Sequence, residues 1–379
     1  MRVLLLDTAF AAAPIYEHLV QIGHDVWVMG NRPNDLLAKK AGKKWINQDY
    51  SQMHEVEEHA VRGGIECFVP GCTDLSIEIC LRLRFGSTVL DAPETNNILC
   101  NKQAFRSLCH DLGLPGPQVV RKEEFPIQGR FICKPVDAFS GRGITVFDGD
   151  DCDSLEEAYD AAIRASRTAT ALIETFTIGD LFSCSAFIDD QRVSMAFYVR
   201  EGSSVNPFAV DTSYVAYDLP KECTELLEES LAKICSALRL KNGLLHTQFI
   251  LTDGYPAIVE VSRRCPGDLY PLLIEYSTGF QYAAKYASYF IKAEQAPQKT
   301  ERRYVLRHTV ASDRDIIFEG LRLAESKPTR AFFPIHAMGQ ELLGGQKTRA
   351  GILFCEAPSY EQLVDDYELF VSRGAYEVA

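Results

Sequence analysis

The first hundred residues alternate between continuous apolar runs and amphipathic stretches, and this restricts the start of the chain to an α/β layer structure. Residues 3–6 are an unbroken apolar run, as a strand buried on both faces requires. A helical pattern opens near Pro14, is apolar at Ile15, Leu19 and Ile22, and stops at Gly23. Residues 25–29 read as the next strand, residues 53–61 as helix, and residues 67–69 as a short strand before Pro70-Gly71. This succession predicts a parallel sheet with right-handed crossovers. The turn after the first strand, Asp7-Thr8-Ala9-Phe10, lacks the glycine spacing of a dinucleotide-binding loop, which weakens an NAD-binding reading. Asp74 and Glu78 fall at the carboxyl edge of a predicted strand, where open α/β sheets bind ligands. An acid pair at a helix N-terminus is their plainer account.

Further on, residues 101–112 form an amphipathic helix closed by Gly113, and Pro115 and Pro117 mark a boundary. Strands are expected at 131–134 and 144–147, joined by Ser140-Gly141-Arg142-Gly143. Ser154 and Glu157 form a capping box for a helix reaching about Arg167. Strands at 171–174, 182–188 and 192–199 precede a long helix over 221–240. Strands at 246–251 and 257–261 flank Asp253-Gly254, a hairpin turn signal. A helix is expected over 279–291, strands at 304–310 and 351–355, and a last helix capped by Ser359 and Gln362.

With 379 residues, two or three folded units are expected. The 52 acids against 39 basic residues argue against non-specific nucleic-acid binding, and equally against a polybasic membrane-surface protein. No apolar stretch approaches the roughly 20 residues of a membrane span, and Met1 to Leu6 is too short for a signal segment. Twelve cysteines without a C-x-x-C pair read as reduced core thiols of a cytoplasmic protein.

Four segments carry candidate chemistry. Lys134 ends an apolar strand, where it either reaches solvent or presents a point charge to a phosphate. The loop 140–143 is either an ordinary hairpin loop or a glycine cradle for phosphates. Residues 173–176, Ile-Glu-Thr-Phe, end another strand. Gln248 and Glu260 lie on the two strands of one hairpin. With Ser262 they gather oxygen donors of the kind that suits Mg²⁺ bridging nucleotide phosphates, or they are simply polar residues at a sheet surface.

Taken in order, these residues resemble the ATP-grasp superfamily, mostly carboxylate–amine ligases, over about residues 1–290. The resemblance implies an α/β and α+β architecture: an ATP-grasp fold with an N-terminal Rossmann-like domain. That domain would span 1–95, the nucleotide-binding domain 96–295 (small subdomain about 115–175), and a C-terminal cap 296–379. It implies ATP and Mg²⁺ (or Mn²⁺) as cofactors. Lys102, in Asn-Lys-Gln-Ala-Phe-Arg, and Lys134 would meet nucleotide phosphates, with Ser140, Gly141 and Gly143 in the loop over them. Glu174 and Phe176 would hold adenine above Ile250. The family motif H-x-E-F followed by E-x-N-P-R is matched by His246-Thr247-Gln248-Phe249 and Glu260-Val261-Ser262-Arg263-Arg264. Gln248, Glu260 and Ser262 thus fall on the metal positions and Arg264 on the phosphate-stabilising arginine. Ser262 and Arg263 depart from the family's Asn and Pro. So does Leu181, where a glutamate commonly holds the ribose and Asp180 stands next to it. Asp268 either handles the proton of an attacking amine or caps a helix starting near Leu269.

The implied activity is ATP-dependent joining of a carboxylate to an amine through an acyl phosphate, on small amino-acid or peptide-like substrates. No nucleic-acid or membrane partner is implied, and a homodimer is admitted. A bicarbonate-activating, carboxylase-like enzyme and a non-catalytic nucleotide-binding relative are the alternatives.

Overall fold

The structure is a computed structural model describing residues 1–83, 90–138, 141–293, 299–324, 328–345 and 348–379. Ser140 and the expected boundary at 295/296 lie outside the described residues.

The strands Trp45–Ile46, Asp25–Met29, Arg2–Leu6 and Cys67–Pro70 make, in that order, a wholly parallel sheet. The apolar run of the first strand is explained by its two faces. Leu4 and Leu6 enter one core with Val56 and Phe68, while Val3 and Leu5 enter another with Ile15 and Tyr286. A second sheet, antiparallel, orders Val119–Val120, Ala171–Thr175, Arg130–Pro135 and Thr145–Asp148. The helix Cys152–Ala165 covers it through Leu155, Ala158 and Ala162. That helix is capped by Asp151, whose carboxylate accepts from the amides of Asp153 and Ser154. The capping box expected at Ser154 therefore shifts three residues back, because an aspartate can take both amides at once.

The largest sheet has eight strands in the order Tyr255–Ser262, Gly243–Thr252, Asp180–Asp189, Arg192–Gly202, Thr212–Val215, Tyr304–Val310, Gly351–Ala357, Thr329–Pro334. The last three extend the same sheet that begins with the hairpin 243–262. One face packs on the helices Lys221–Leu238 and Tyr360–Val371, the other on Tyr270–Thr278 and Tyr282–Ile291, which in turn meet the parallel sheet. The hairpin turn is as the sequence indicates, with Asp253 (φ +49°) and Gly254 (φ +85°) both left-handed. The helix expected over 279–291 runs over Tyr282–Ile291; Gly279 (φ +76°) belongs to the end of the preceding helix, Tyr270–Thr278. None of the twelve cysteines forms a disulfide, and ten of them are buried. Among the described residues no helix is long and apolar enough to cross a membrane.

Glu275 lies in the first of these paired helices and accepts from the Ala283 amide (3.2 Å). Burial raises its pKa from 4.5 to about 7. Between those values the folded protein holds a proton that the unfolded chain has released, so stability falls as pH rises through the window. Glu275→Gln removes this dependence. Relative to the native chain, the variant should melt a few degrees higher at pH 8 and at nearly the same temperature at pH 4. A thermal unfolding series across pH checks this, and a pH-independent difference would discard it.

Candidate active site

One face of the eight-stranded sheet collects the polar residues. In the hairpin, Gln248 pairs directly with Glu260, and His246 with Ser262. Across the next strands Gln248 pairs with Ser183 and His246 with Ser185. Farther in, Glu201 pairs with Ser213, which pairs with Arg307. Directly paired residues share a face, so Glu260, Gln248, Glu201 and Arg307 lie on one surface.

A β-bulge places Glu260 there. Phe249 pairs with Ile258 but Gln248 pairs with Glu260, leaving Val259 without a cross-strand partner. In a regular ladder Glu260 would oppose the buried Thr247 and point into the core. The extra residue turns it outward beside Gln248. The bulged Val259 carbonyl accepts from Arg106 Nη2 (2.6 Å).

The same guanidinium reaches the second group of charges. Arg106 Nε donates to Glu174 Oε1 (2.5 Å), and Lys134 Nζ lies 2.5 Å from Oε2, an ion pair without the direction of a hydrogen bond. All three side chains are almost wholly buried. Burial pulls the Lys134 pKa down, and Glu174 opposes this. Lys134 is therefore no solvent-seeking strand end. Glu174, expected to hold adenine, has both oxygens engaged by cations, so its side chain orders Lys134 and Arg106 instead.

Lys102 starts the helix Lys102–Asp111 behind an Asn101 cap, and its ammonium donates to the Ala138 carbonyl (2.9 Å), at the foot of the glycine loop. Gly141 (φ +70°) and Gly143 (φ +71°) are both left-handed, and a Cβ at Gly143 would sit 2.4 Å from that of Ala165. Phe176 lies under Arg130 (5.0 Å to the ring centroid). Ile250 shares the face of Gln248, against Gly179. Asp180 is mostly exposed and paired with Arg200 (2.7 Å), which occupies the carboxylate that ribose was expected to meet.

Arg264 Nε donates to Asp74 Oδ1 (2.8 Å), joining the hairpin to the parallel sheet's carboxyl edge. Burial alone would lower its pKa, but Asp74 outweighs this and holds the guanidinium above its usual value. Asp74 is thus more than a helix-start acid, whereas Glu78 only pairs with Arg82 one turn on. Arg263 points away, buried against Asp91 (2.7 Å) and the carbonyls of Lys241 and Leu244. Burial brings His246 down to about 3, with Arg264 adding to the effect, so the imidazole is neutral.

Asp268 caps no helix: Tyr270–Thr278 begins after Leu269 with no side-chain cap. Both Asp268 (φ +51°) and Leu269 (φ +57°) are left-handed, a strained pair that places the Asp268 carbonyl to accept from Arg307 (3.1 Å). The Asp268 carboxylate is held by Arg349 and faces Arg307. Sequence reading missed Glu201, Arg106 and Arg307. Their signal was a charge inside an apolar strand (Tyr-Val-Arg-Glu, Tyr-Val-Leu-Arg) or on the buried face of a helix.

The donor set fits a hard divalent cation. Gln248 offers a carbonyl, Glu260 an exposed carboxylate, and Ser262 a hydroxyl that accepts only from the Arg264 amide (3.2 Å). Among the described residues no cluster of three His, Cys, Asp or Glu side chains forms a metal cage.

No protein-family model matches the chain. Over its whole length, and 98% of the other chain, the structure superposes on an L-amino acid ligase from Bacillus licheniformis with a TM-score of 0.78 at 17% identity. The fold is an ATP-grasp fold. A biotin carboxylase domain of the Hydrogenobacter thermophilus 2-oxoglutarate carboxylase, bound to MgADP, ADP and bicarbonate, shares it with a TM-score of 0.74 at 14% identity, over 100% of this chain and 90% of that one. Among curated proteins, a phosphoribosylamine–glycine ligase of Methanococcoides burtonii is 23% identical over 151 residues, 36% of this chain and 35% of that protein. That match spans about a third of the relative's length. In ATP-grasp terms, the buried Lys134 lies in the four-stranded antiparallel sheet within 119–175 and the oxygen donors lie on the eight-stranded sheet. Arg106 touches both groups through Glu174 and the bulge.

Proposed function

We propose that the protein is an ATP-dependent ligase joining a carboxylate to an amine, with amino-acid or peptide-like substrates. The observation that carries this is the single polar sheet face, with Glu260, Gln248 and Ser262 beside Arg264 and the buried Lys134–Glu174 pair tied to it through Arg106. In this reading Lys134 and Lys102 hold ATP phosphates, and Gln248, Glu260 and Ser262 hold Mg²⁺ or Mn²⁺, which neutralises phosphate charge when bound. The substrate carboxylate attacks the γ-phosphoryl group, releasing ADP and forming an acyl phosphate. The amine then displaces phosphate, loses a proton and leaves an amide. Arg264 stabilises the charge on the transferring group, and Arg307, fixed by Ser213 (2.8 Å) and Asp268, receives the substrate carboxylate. Closure of the loop bearing Gly141 and Gly143 keeps water from the acyl phosphate.

The buried Asp7 carboxylate accepts from the amides of Ala9 and Cys72 (both 2.9 Å), joining the turn after the first strand to the loop after Cys67–Pro70 at the carboxyl edge of the parallel sheet.

A coupled ADP-release screen over amino-acid pairs, with mass spectrometry of products, tests the reading. Amide formation is the expected result. ADP release on bicarbonate alone would favour the carboxylase-like reading, and nucleotide binding without turnover on any acceptor the non-catalytic one. Glu260→Gln should stay folded and lose about 10²-fold in rate, with the deficit shrinking as Mg²⁺ is raised, because the site loses a negative charge. A lower melting temperature with unchanged activity per folded molecule would make Glu260 structural.

A further inference from the structure

A carboxamide in a cation site has a useful end and a harmful one: the carbonyl oxygen attracts the cation and the NH₂ repels it. Gln248 lies between Glu260 on one neighbouring strand and Ser183 on the other, and its Nε2 donates to Glu201 Oε2 at 2.6 Å. Glu201 Oε2 is the acceptor here, so this contact fixes which end of the amide points where. Oε1 is left as the free end, with no hydrogen bond among the described residues.

Glu201 is itself held firmly. It lies near the end of the strand Arg192–Gly202, is only 5% exposed, and also bonds the Ser183 hydroxyl. That hydroxyl lies 3.2 Å from the hydroxyl of the buried Tyr270. The backbone carbonyl of Glu201 accepts from the Tyr367 hydroxyl (3.1 Å). Little freedom remains for the carboxylate to move away from Gln248.

We propose that Glu201 is a positioning residue for the cation site: it grips the Gln248 carboxamide by its NH₂ and presents the carbonyl oxygen to the cation beside Glu260. The inference rests on the reading of Gln248, Glu260 and Ser262 as cation ligands. It predicts that the carboxylate and the carboxamide are interchangeable as a pair but not singly.

The probe is Mn²⁺, titrated against the full-length protein with a saturating non-hydrolysable ATP analogue and followed by the paramagnetic resonance of the free ion. Glu201→Gln keeps the shape, and the new amide meets Gln248 in either orientation, so the Gln248 carbonyl loses its fixed direction. Mn²⁺ affinity should fall about 10-fold, the low end of what outer-shell partners of metal ligands contribute. The exchanged double variant, Glu201→Gln with Gln248→Glu, restores one carboxylate and one amide in the same contact. It should return to within about threefold of the native affinity, closer than the losses of the Glu201→Gln and Gln248→Glu single variants, each measured alone, add up to, a coupling that independent sites would not show. Glu260→Gln serves as the control and should weaken Mn²⁺ at least as much as Glu201→Gln. If Glu201→Gln only lowers the melting temperature, with unchanged Mn²⁺ affinity in the folded fraction, Glu201 is structural and the proposal fails. It fails too if the exchanged pair binds no better than Glu201→Gln. If Glu260→Gln leaves Mn²⁺ binding untouched, the cation lies elsewhere, and the reading of the site falls together with this inference.

Discussion

Arg264→Lys is expected to lower kcat by about 10²–10³-fold while leaving the affinity for a non-hydrolysable ATP analogue nearly unchanged. Lysine keeps the charge and loses the planar fork, so it cannot hold Asp74 and an incoming oxygen in fixed geometry at the same time. Asp74→Asn should give a smaller loss of the same kind, because the guanidinium keeps a hydrogen-bond acceptor but not a counter-charge. Arg263→Lys is the comparison. Arg263 holds Asp91 and two backbone carbonyls in a buried place, so its conservative replacement should cost stability and leave turnover per folded molecule near normal. Steady-state kinetics with urea unfolding of all three variants separates these outcomes. A large kcat loss at Arg263 with a near-normal Arg264→Lys would reverse the face assignment of the hairpin and remove Glu260 from the cation site.

Glu174→Gln should be the most damaging single change to the fold. It is nearly isosteric, but it removes the one carboxylate that the buried Lys134 and Arg106 share. Breaking a buried charge pair costs about 3–5 kcal/mol because the remaining charge is uncompensated, and here two cations remain. Arg106 also holds the bulge carbonyl of Val259, so the damage should spread to Glu260 and weaken cation binding. Lys134→Met separates binding from folding. It leaves Arg106 paired with Glu174 and fills the space with apolar volume, so the protein should remain folded while ATP-analogue affinity falls at least about 10-fold. Urea unfolding and calorimetric titration measure the two effects. A Glu174→Gln protein as stable as the native one would mean that Lys134 and Arg106 do not depend on that carboxylate.

The elements that the sequence specified well are those with strong local periodicity. The first strand, the helix closed by Gly23, the Asp253-Gly254 turn and the Ser359 cap all depend on neighbours within a few residues. The starts of the helices Cys152–Ala165 and Tyr282–Ile291 were each misplaced by about three residues, since Asp151 caps the first and Gly279 ends the helix before the second. Among site residues, the hairpin motif 246–264 was legible because its polar positions interrupt otherwise apolar strands. Asp268 was not: its role as a holder of Arg307 and Arg349 depends on two arginines that are 39 and 81 residues away.

Residues alone set the α/β start of the chain, the hairpin, and the fact that Glu260 and Ser262 fall on the same side of one strand, because alternation along a strand is a property of the backbone alone. Which side that is, the tertiary structure decided. The bulge at Val259 slips the ladder by one residue between Ile258 and Glu260, turning the whole set from the core to the open face. Arg106, donated from a helix some 150 residues earlier, holds the displaced carbonyl that such a slip exposes. Local sequence cannot encode that choice, since the energy that pays for an irregular ladder comes from a partner supplied only when the distant elements pack together.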